Sequence, residues 1–565
     1  MMPTTSIPFG SFVGGVALAA TSLFAQTPLY TVPGLVDGDR EGFRVTFVGD
    51  LNGDGYSDFA VGAPYADLFG FTDAGRLRLY SGRTGLRYRQ FRGDHDLDEC
   101  GYAVAGIGDV DGDGHDDVAF TQRKGRLRYF GEVWITSGYT GRTIFRLFGE
   151  RNAYDYYGNA LAGLGDVDGD GYGDFAVGSP GRDDGGHNAG LVEVYSGKKR
   201  TLIWALTGSA PLEDFGAALA GVGDVDGDGY GDLLVGAPRY DVPGKSDAGR
   251  ASLHSGRTGA VLRTFDGFVW ADRFGTSVAG VGDMNGDGVP DVAVGSPFAA
   301  GGLGRAQLYS AADGVLLFDL VGSQVGDQLG ASLAGGGDID GDGVPDVLVG
   351  APGFDGAAGV DCGCAYVVSG AAGFPLALLD GEAAGDGRGF AVGGGGDVDA
   401  DGYADFVIGT PFRDLGGLDL GVAEVFAPGG AGTPGRTYYL EKGCAGSDGS
   451  QPRIELMGRP VLGGSYEAIL RGGLGNSPAV LNFGLPSNTP LGALAPDCVL
   501  YTRPYDQRAA MTDADGLARA VPFASIPVIP AIVGAEILHQ WIVVDPWNNP
   551  LGVSASDAGL VVLGQ

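Results

Sequence analysis

Asp166–Asp174 reads DVDGDGYGD, and the same nonapeptide pattern returns six more times. The other copies are DLNGDGYSD (Asp50–Asp58), DVDGDGHDD (Asp109–Asp117), a second DVDGDGYGD (Asp224–Asp232), DMNGDGVPD (Asp283–Asp291), DIDGDGVPD (Asp338–Asp346) and DVDADGYAD (Asp397–Asp405). In chain order their first residues lie 59, 57, 58, 59, 55 and 59 apart. A period this regular marks one supersecondary unit used seven times.

The flanks of the nonapeptide define that unit. Eight residues before each first Asp stands a glycine (Gly42, Gly101, Gly158, Gly216, Gly275, Gly330, Gly389), with an aromatic or leucine beside it. A short apolar run such as AALAGVG leads into the acidic turn, and a run such as FAVGSP leaves it. In six repeats the second run ends in Gly-Ala/Ser/Thr-Pro, where proline, lacking an N–H, stops a strand. GRLRLYSG and AVLRTFDG are examples of a third and a fourth strand. Seven units of four strands predict an all-β fold with a seven-bladed β-propeller over residues 27–430. The seventh repeat has no clear fourth strand, whereas PLYTVPG (28–34) resembles the fourth strand of repeat four. The N-terminal strand is therefore expected to close the last blade and remove an open edge.

The order Phe-Gly, acidic loop, Gly-Ala-Pro resembles the FG-GAP repeat of integrin α-subunit propellers and related bacterial surface proteins, over roughly residues 28–430. The resemblance implies a seven-bladed ring with calcium in the loop between the first two strands of each blade. Repeat two departs from it, with FTQRKG (Phe120–Gly125) in place of Gly-Ala-Pro, and repeat seven has Ala400 where the others have glycine.

The loop residues themselves point to the same ion. Carboxylates at positions 1, 3, 5 and 9 of a tight turn converge, the glycine at position 6 permits the bend, and the carbonyl at position 7 adds a further oxygen. Hard oxygens in that number suit calcium rather than zinc. The expected ligands are Asp50, Asn52, Asp54, Tyr56 and Asp58; Asp109, Asp111, Asp113, His115 and Asp117; Asp166, Asp168, Asp170, Tyr172 and Asp174; Asp224, Asp226, Asp228, Tyr230 and Asp232. Repeats five to seven supply Asp283, Asn285, Asp287, Val289 and Asp291; Asp338, Asp340, Asp342, Val344 and Asp346; Asp397, Asp399, Asp401, Tyr403 and Asp405. Four carboxylates about 4 Å apart without a cation would repel by roughly 20 kcal/mol at an effective dielectric of 20. An EF-hand would need a glutamate at position 12, where Val61 and Val177 stand instead. Up to seven Ca²⁺ would reduce the formal charge from −34 to −20.

A second ring of acids, Asp39, Asp98, Asp155, Glu213, Asp272, Asp327 and Asp386, precedes each loop by eleven residues. Two readings stand: caps for backbone N–H groups in the turns between blades, or an acidic collar for a cationic partner.

Seventy acidic against 36 basic residues disfavour nucleic acid and anionic lipid as partners. Residues 1–26 lack charged side chains and include FVGGVALAATSLFA, read as a signal peptide cut near Ala25, and no later stretch is long enough to insert in a membrane. The Gly-rich APGGAGTPG (Ala427–Gly435) reads as a linker, bounded at 431–435 after the propeller, and 436–565 as a β-sandwich-like domain in which Cys444 and Cys498 pair. Cys100 is expected as a buried thiol, and a bridge between Cys362 and Cys364 would be strained. Trp541 and Trp547 are read as packing residues and TDADG (Thr512–Gly516) as a hairpin turn. Arg92-Gly93-Asp94 is read as a coincidental tripeptide at a strand end. The five histidines are scattered and no catalytic constellation appears. These features predict a secreted or surface binding module for an extracellular protein or glycan, rather than an enzyme. A glycan or phosphoester hydrolase and a structural spacer are the alternatives, and the oligomeric state is left open.

Overall fold

The computed structural model describes residues 28–428, apart from 69, 124–130, 150–153 and 416–417, together with the backbone of Ile7–Pro8 and of strands between 436 and 562. Seven antiparallel sheets of four strands succeed one another as blades, with Ile7–Pro8 beside the outer strand of blade five. Blade three shows the plan: Ala160–Gly165 innermost, then Asp174–Ser179, Leu191–Ser196 and Thr201–Thr207 outermost. Each inner strand neighbours the inner strand of the next blade, and Ala391–Gly396 of blade seven neighbours Arg44–Gly49 of blade one, so the ring closes. Tyr30–Pro33 is the outer strand of blade seven, beside Val422–Phe426. The N-terminal segment thus completes the last blade, as its sequence predicts.

The composition of each strand reflects its radius. Second strands such as DFAVGS and DLLVGA are buried at every residue, because apolar clusters fill the spaces between successive blades on both of their faces. Val222, Leu234 and Leu253 of blade four, for instance, pack with Phe274, Val278 and Val292 of blade five. Inner strands are glycine-rich because they crowd at the axis: a Cβ on Gly221 or Gly335 would collide with the carbonyl of Gly163 or Gly280 in the preceding blade. Outer strands alternate exposed and half-buried residues.

The recurring glycines form the joint between blades. A Cβ on Gly178 would strike the carbonyl oxygen of Gly216, and Gly236 stands in the same way against Gly275, Gly295 against Gly330, Gly350 against Gly389, and Gly409 against Gly42. The Gly of Gly-Ala-Pro in one blade therefore docks on the Phe-Gly glycine of the next, whose φ near +86° at Gly216 and +89° at Gly275 favours glycine. In blade two, Thr121 takes the place of that glycine, and its hydroxyl donates to the Gly158 carbonyl at 2.7 Å. A hydrogen bond thus replaces the close approach.

The second ring of acids is buried, from 0% exposure at Asp39 to 5% at Asp272. Asp327 Oδ2 accepts the N–H groups of Ser323 (2.7 Å) and Gln324 (2.8 Å), and Asp386 Oδ2 those of Glu382 (3.0 Å) and Ala383 (2.9 Å). Asp39, Asp98, Glu213 and Asp272 likewise accept turn N–H groups, so these six acids are turn caps, and the burial of all seven removes the acidic collar as an option. Asp39 also pairs with Arg76 (2.7 Å), which meets Glu41 at 2.8 Å, a buried ion cluster at the closure that the sequence did not reveal.

Cys100, Cys362 and Cys364 are buried free thiols. Beyond residue 435, Pro478–Pro490 pairs with Val499–Met511 and Glu536–Val544, and Glu467–Arg471 with Arg453–Met457 and Ala518–Ala520. The leader over 1–26, apart from the Ile7–Pro8 backbone, the 431–435 linker and the Cys444–Cys498 pairing lie outside the described residues.

Two outcomes are expected. Deleting residues 28–34 should lower the thermal midpoint by about 5–10 °C, since a blade edge is opened and several buried contacts are lost. Gly236→Ala should cost about 1–3 kcal/mol in denaturant unfolding, because a methyl there forces the blade-five joint apart.

Candidate metal centres

Every nonapeptide forms the connection between the first and second strands of its blade, so all seven loops lie on one face of the ring. Each first-to-second strand pair shifts register by one residue just before the loop, as between Gly163 and Gly165 in blade three. Such a bulge bends the strand and re-aims the loop it leads into.

In loop three the position-1 carboxylate organises the turn. Asp166 Oδ1 accepts the N–H groups of Gly169 (2.7 Å) and Asp170 (3.0 Å), and Oδ2 that of Gly171 (2.7 Å), whose φ is +85°. The position-9 carboxylate is fully buried beneath it: Asp174 Oδ2 accepts from Val167 (2.8 Å) and Asp168 (3.2 Å), and Oδ1 from Gly197 (3.0 Å) in the hairpin between the third and outer strands. The same position-9 bonds recur at Asp232 (from Val225 and Gly256) and Asp346 (from Ile339 and Gly370).

Positions 1, 3 and 9 bring carboxylate oxygens within 4.8 Å of one another in Asp109/Asp111/Asp117, Asp166/Asp168/Asp174, Asp224/Asp226/Asp232 and Asp338/Asp340/Asp346. The position-5 carboxylate accepts the position-7 N–H through one oxygen, as Asp228 Oδ1 does from Tyr230 (3.0 Å) and Asp342 Oδ1 from Val344 (2.9 Å). Burial is the main cause that holds the position-9 acids toward the neutral form: Asp174, Asp291 and Asp346 rise to about 6, Asp117 to about 7, Asp58 to about 8 and Asp405 to about 9. A divalent cation among these oxygens would reverse that penalty.

The fit to such a cation shows in the oxygens left over. Asp168 Oδ1, Asp170 Oδ1, Asp397 Oδ1, Asp401 Oδ2 and Asp405 Oδ1 are buried without a hydrogen-bond partner. Loop seven explains one of them: Pro428 stands where Gly197 offers its N–H in blade three, so Asp405 Oδ1 lacks that donor. A bound cation would satisfy these oxygens, which makes the donor set a fitting one for calcium.

Neighbouring loops also touch, which the loop sequences did not foretell. The position-8 N–H donates to the position-1 carbonyl of the preceding loop: Gly173 to Asp109 (2.9 Å), Ala404 to Asp338 (3.0 Å) and, across the closure, Ser57 to Asp397 (3.0 Å). Pro290 and Pro345 at this position have no N–H to give. The position-7 ring covers the position-4 glycine before it, Tyr172 over Gly112 and Tyr230 over Gly169, while the side chain of His115 lies against Gly53. The pairing of an aromatic with a glycine one period earlier was the signal in the sequence. Position 7 thus has a packing role beside any carbonyl ligation.

Outside the loops, Asp94, His95 and Asp98 approach one another in the turn between blades one and two, with His95 Nδ1 2.6 Å from Asp94 Oδ1. Asp98 is there the turn cap, accepting from Asp94 and His95 N–H, so Arg92-Gly93-Asp94 is a strand end leading into a capped turn.

The FG-GAP repeat family matches residues 43–80, 157–195, 215–254, 274–309 and 329–361, which are repeats one, three, four, five and six. Repeats two and seven, with Phe120–Gly125 and Ala400, are not among the matched segments. Integrin alpha-V of Gallus gallus is 33% identical over 215 residues, 35% of this chain and 20% of the relative. Integrin alpha-PS2 of Drosophila melanogaster is 37% identical over 222 residues (35% and 15%), and integrin alpha-5 of Xenopus laevis 31% over 228 residues (37% and 21%). The matched stretch thus spans about a fifth or less of these relatives. Repeat matches, blade count and the Phe-Gly to Gly-Ala-Pro joint agree: the chain carries five FG-GAP repeats in a seven-bladed β-propeller that is similar to part of the integrin α-subunits.

Proposed function

We propose that this propeller is a calcium-stiffened binding module, secreted or displayed at the cell surface, that holds an extracellular protein or glycan. The observation that carries the calcium part is the set of buried, unpartnered carboxylate oxygens in loops three and seven. Similarity to integrin α-subunits supports binding over catalysis, and no helix among the described residues is long and apolar enough to cross a membrane.

The face opposite the loops offers the ligand surface. Outer-to-inner and second-to-third strand connections meet there, and they carry Tyr154, Trp270, Val325 and Leu418, each more than 70% exposed. Large apolar side chains gathered on the connecting turns of one face mark a contact surface rather than a core. The division of labour is then physical: cations hold the turns of one face rigid, and a rigid ring keeps the other face in one shape.

Three outcomes test this. Purified protein should contain calcium by metal-content spectrometry, and chelation should lower its thermal midpoint by more than about 10 °C, since each site held at 100 times its dissociation constant adds about 2.7 kcal/mol. Metal-free protein with an unaltered midpoint in EDTA would refute the calcium reading. Within loop four, Asp226→Asn should destabilise only in calcium. Asp232→Ala should cost about 2–4 kcal/mol with or without it, since it strands the buried N–H groups of Val225 and Gly256. In a screen of immobilised extracellular proteins and glycans, Trp270→Ala should weaken any hit about tenfold or more while leaving the midpoint unchanged; undiminished binding would remove this face from the proposal.

A further inference from the structure

Loops three and four have the same sequence, DVDGDGYGD, so a difference in their behaviour must come from what surrounds them. The hairpin between the third and outer strands faces each loop. In blade four it reads Ser255-Gly256-Arg257-Thr258, in blades one and two it likewise has threonine fourth (Thr84, Thr140), and in blade three it reads Ser196-Gly197-Lys198-Lys199. The third residue behaves alike in blades three and four: Lys198 lies over the Tyr172 ring at 3.8 Å and Arg257 over Tyr230 at 4.6 Å. The fourth does not. Lys199 Nζ sits 2.7 Å from Asp168 Oδ2 and 3.3 Å from Asp170 Oδ2, bridging the position-3 and position-5 carboxylates. Thr258 in blade four has no charge to offer.

We infer that Lys199 is a built-in counter-cation of loop three, which calcium must displace, so that loop three loads at higher calcium than the identical loop four. The inference rests on the proposal that the loops bind calcium. An ammonium delivers one charge and takes only one oxygen from each carboxylate; Asp168 Oδ1 and Asp170 Oδ1 stay buried without partners. It is therefore a partial substitute, and a divalent ion that can take oxygens from positions 1, 3 and 9 at once has more to gain there. The Lys199 side chain is 53% exposed and sits on a hairpin, so it can swing into solvent without moving the blade. The consequence is a ring in which one loop keeps its carboxylates partly neutralised when calcium is scarce and responds to the ion over a range in which loop four is already filled.

The test uses the full chain. Lysines are acetylated briefly at a series of free calcium concentrations and read by peptide mass spectrometry, alongside calcium binding by equilibrium dialysis. Lys199 should be severalfold less reactive in chelator than in saturating calcium, while Lys245, outside the loops, should not change. K199T, which installs the residue that blade four carries, should shift one calcium equivalent to about fivefold lower free calcium, in line with the modest worth of an exposed ion pair. Calcium binding that leaves Lys199 reactivity flat, with superposable K199T and wild-type curves, would overturn the inference alone. Absence of bound calcium from both proteins would overturn the calcium reading and this inference with it.

Discussion

Seven sheets can close into this ring only because glycine backbones meet where the blades join. The Gly of each Gly-Ala-Pro segment lies so close to the Phe-Gly carbonyl of the next blade that no side chain fits between them, from Gly62 against Gly101 to Gly409 against Gly42. The contact fixes the spacing of neighbouring second strands, and that spacing lets the apolar clusters between blades bury every residue of those strands. Apolar burial is the dominant favourable term, but it has no direction; the glycine joint gives it one. Blade two keeps the joint by other means, with the Thr121 hydroxyl donating to Gly158.

The acidic face obeys a second constraint. Loop carboxylates are drawn together by backbone N–H donors, so their mutual repulsion is a cost of the turn geometry itself. Position 9 is the extreme case, a carboxylate with no exposed surface whose burial favours the neutral acid. Two devices offset the charge in blade three, backbone donors at Asp174 and a lysine at Asp168 and Asp170, whereas blade seven lacks the hairpin N–H, and oxygens of Asp397 and Asp405 are unpartnered there. Because the position-8 N–H of one loop binds the position-1 carbonyl of the loop before it, adjacent loops share structure across several blade boundaries. Pro290 and Pro345 interrupt that sharing at blades five and six.

Turn caps show where a chemical reading of acids alone falls short. Asp39, Asp98 and Asp327 are as regularly spaced as the loop acids, and their charge suggested a partner as readily as a structural task. Burial and two or three N–H donors apiece assign them to the turns.

Much of the architecture was legible beforehand, because a repeat writes its period, its strand ends and its turn chemistry into the chain every 55–59 residues. Blade number, the loop between the first two strands, the N-terminal closing strand and the buried Cys100 thiol all stem from local rules about glycine, proline and alternating apolar residues. Contacts between blades were not legible: Thr121 on Gly158, Ser57 to Asp397, Arg76 between Asp39 and Glu41. Nor was the placing of Lys199, since it depends on which way a hairpin leans over its own loop. Local sequence determined what each blade is; only the closed ring decided which atoms of separate repeats, from 37 residues apart for Thr121 and Gly158 to 340 for Ser57 and Asp397, come within hydrogen-bonding reach, because that proximity is set by blade packing and not by chain connectivity.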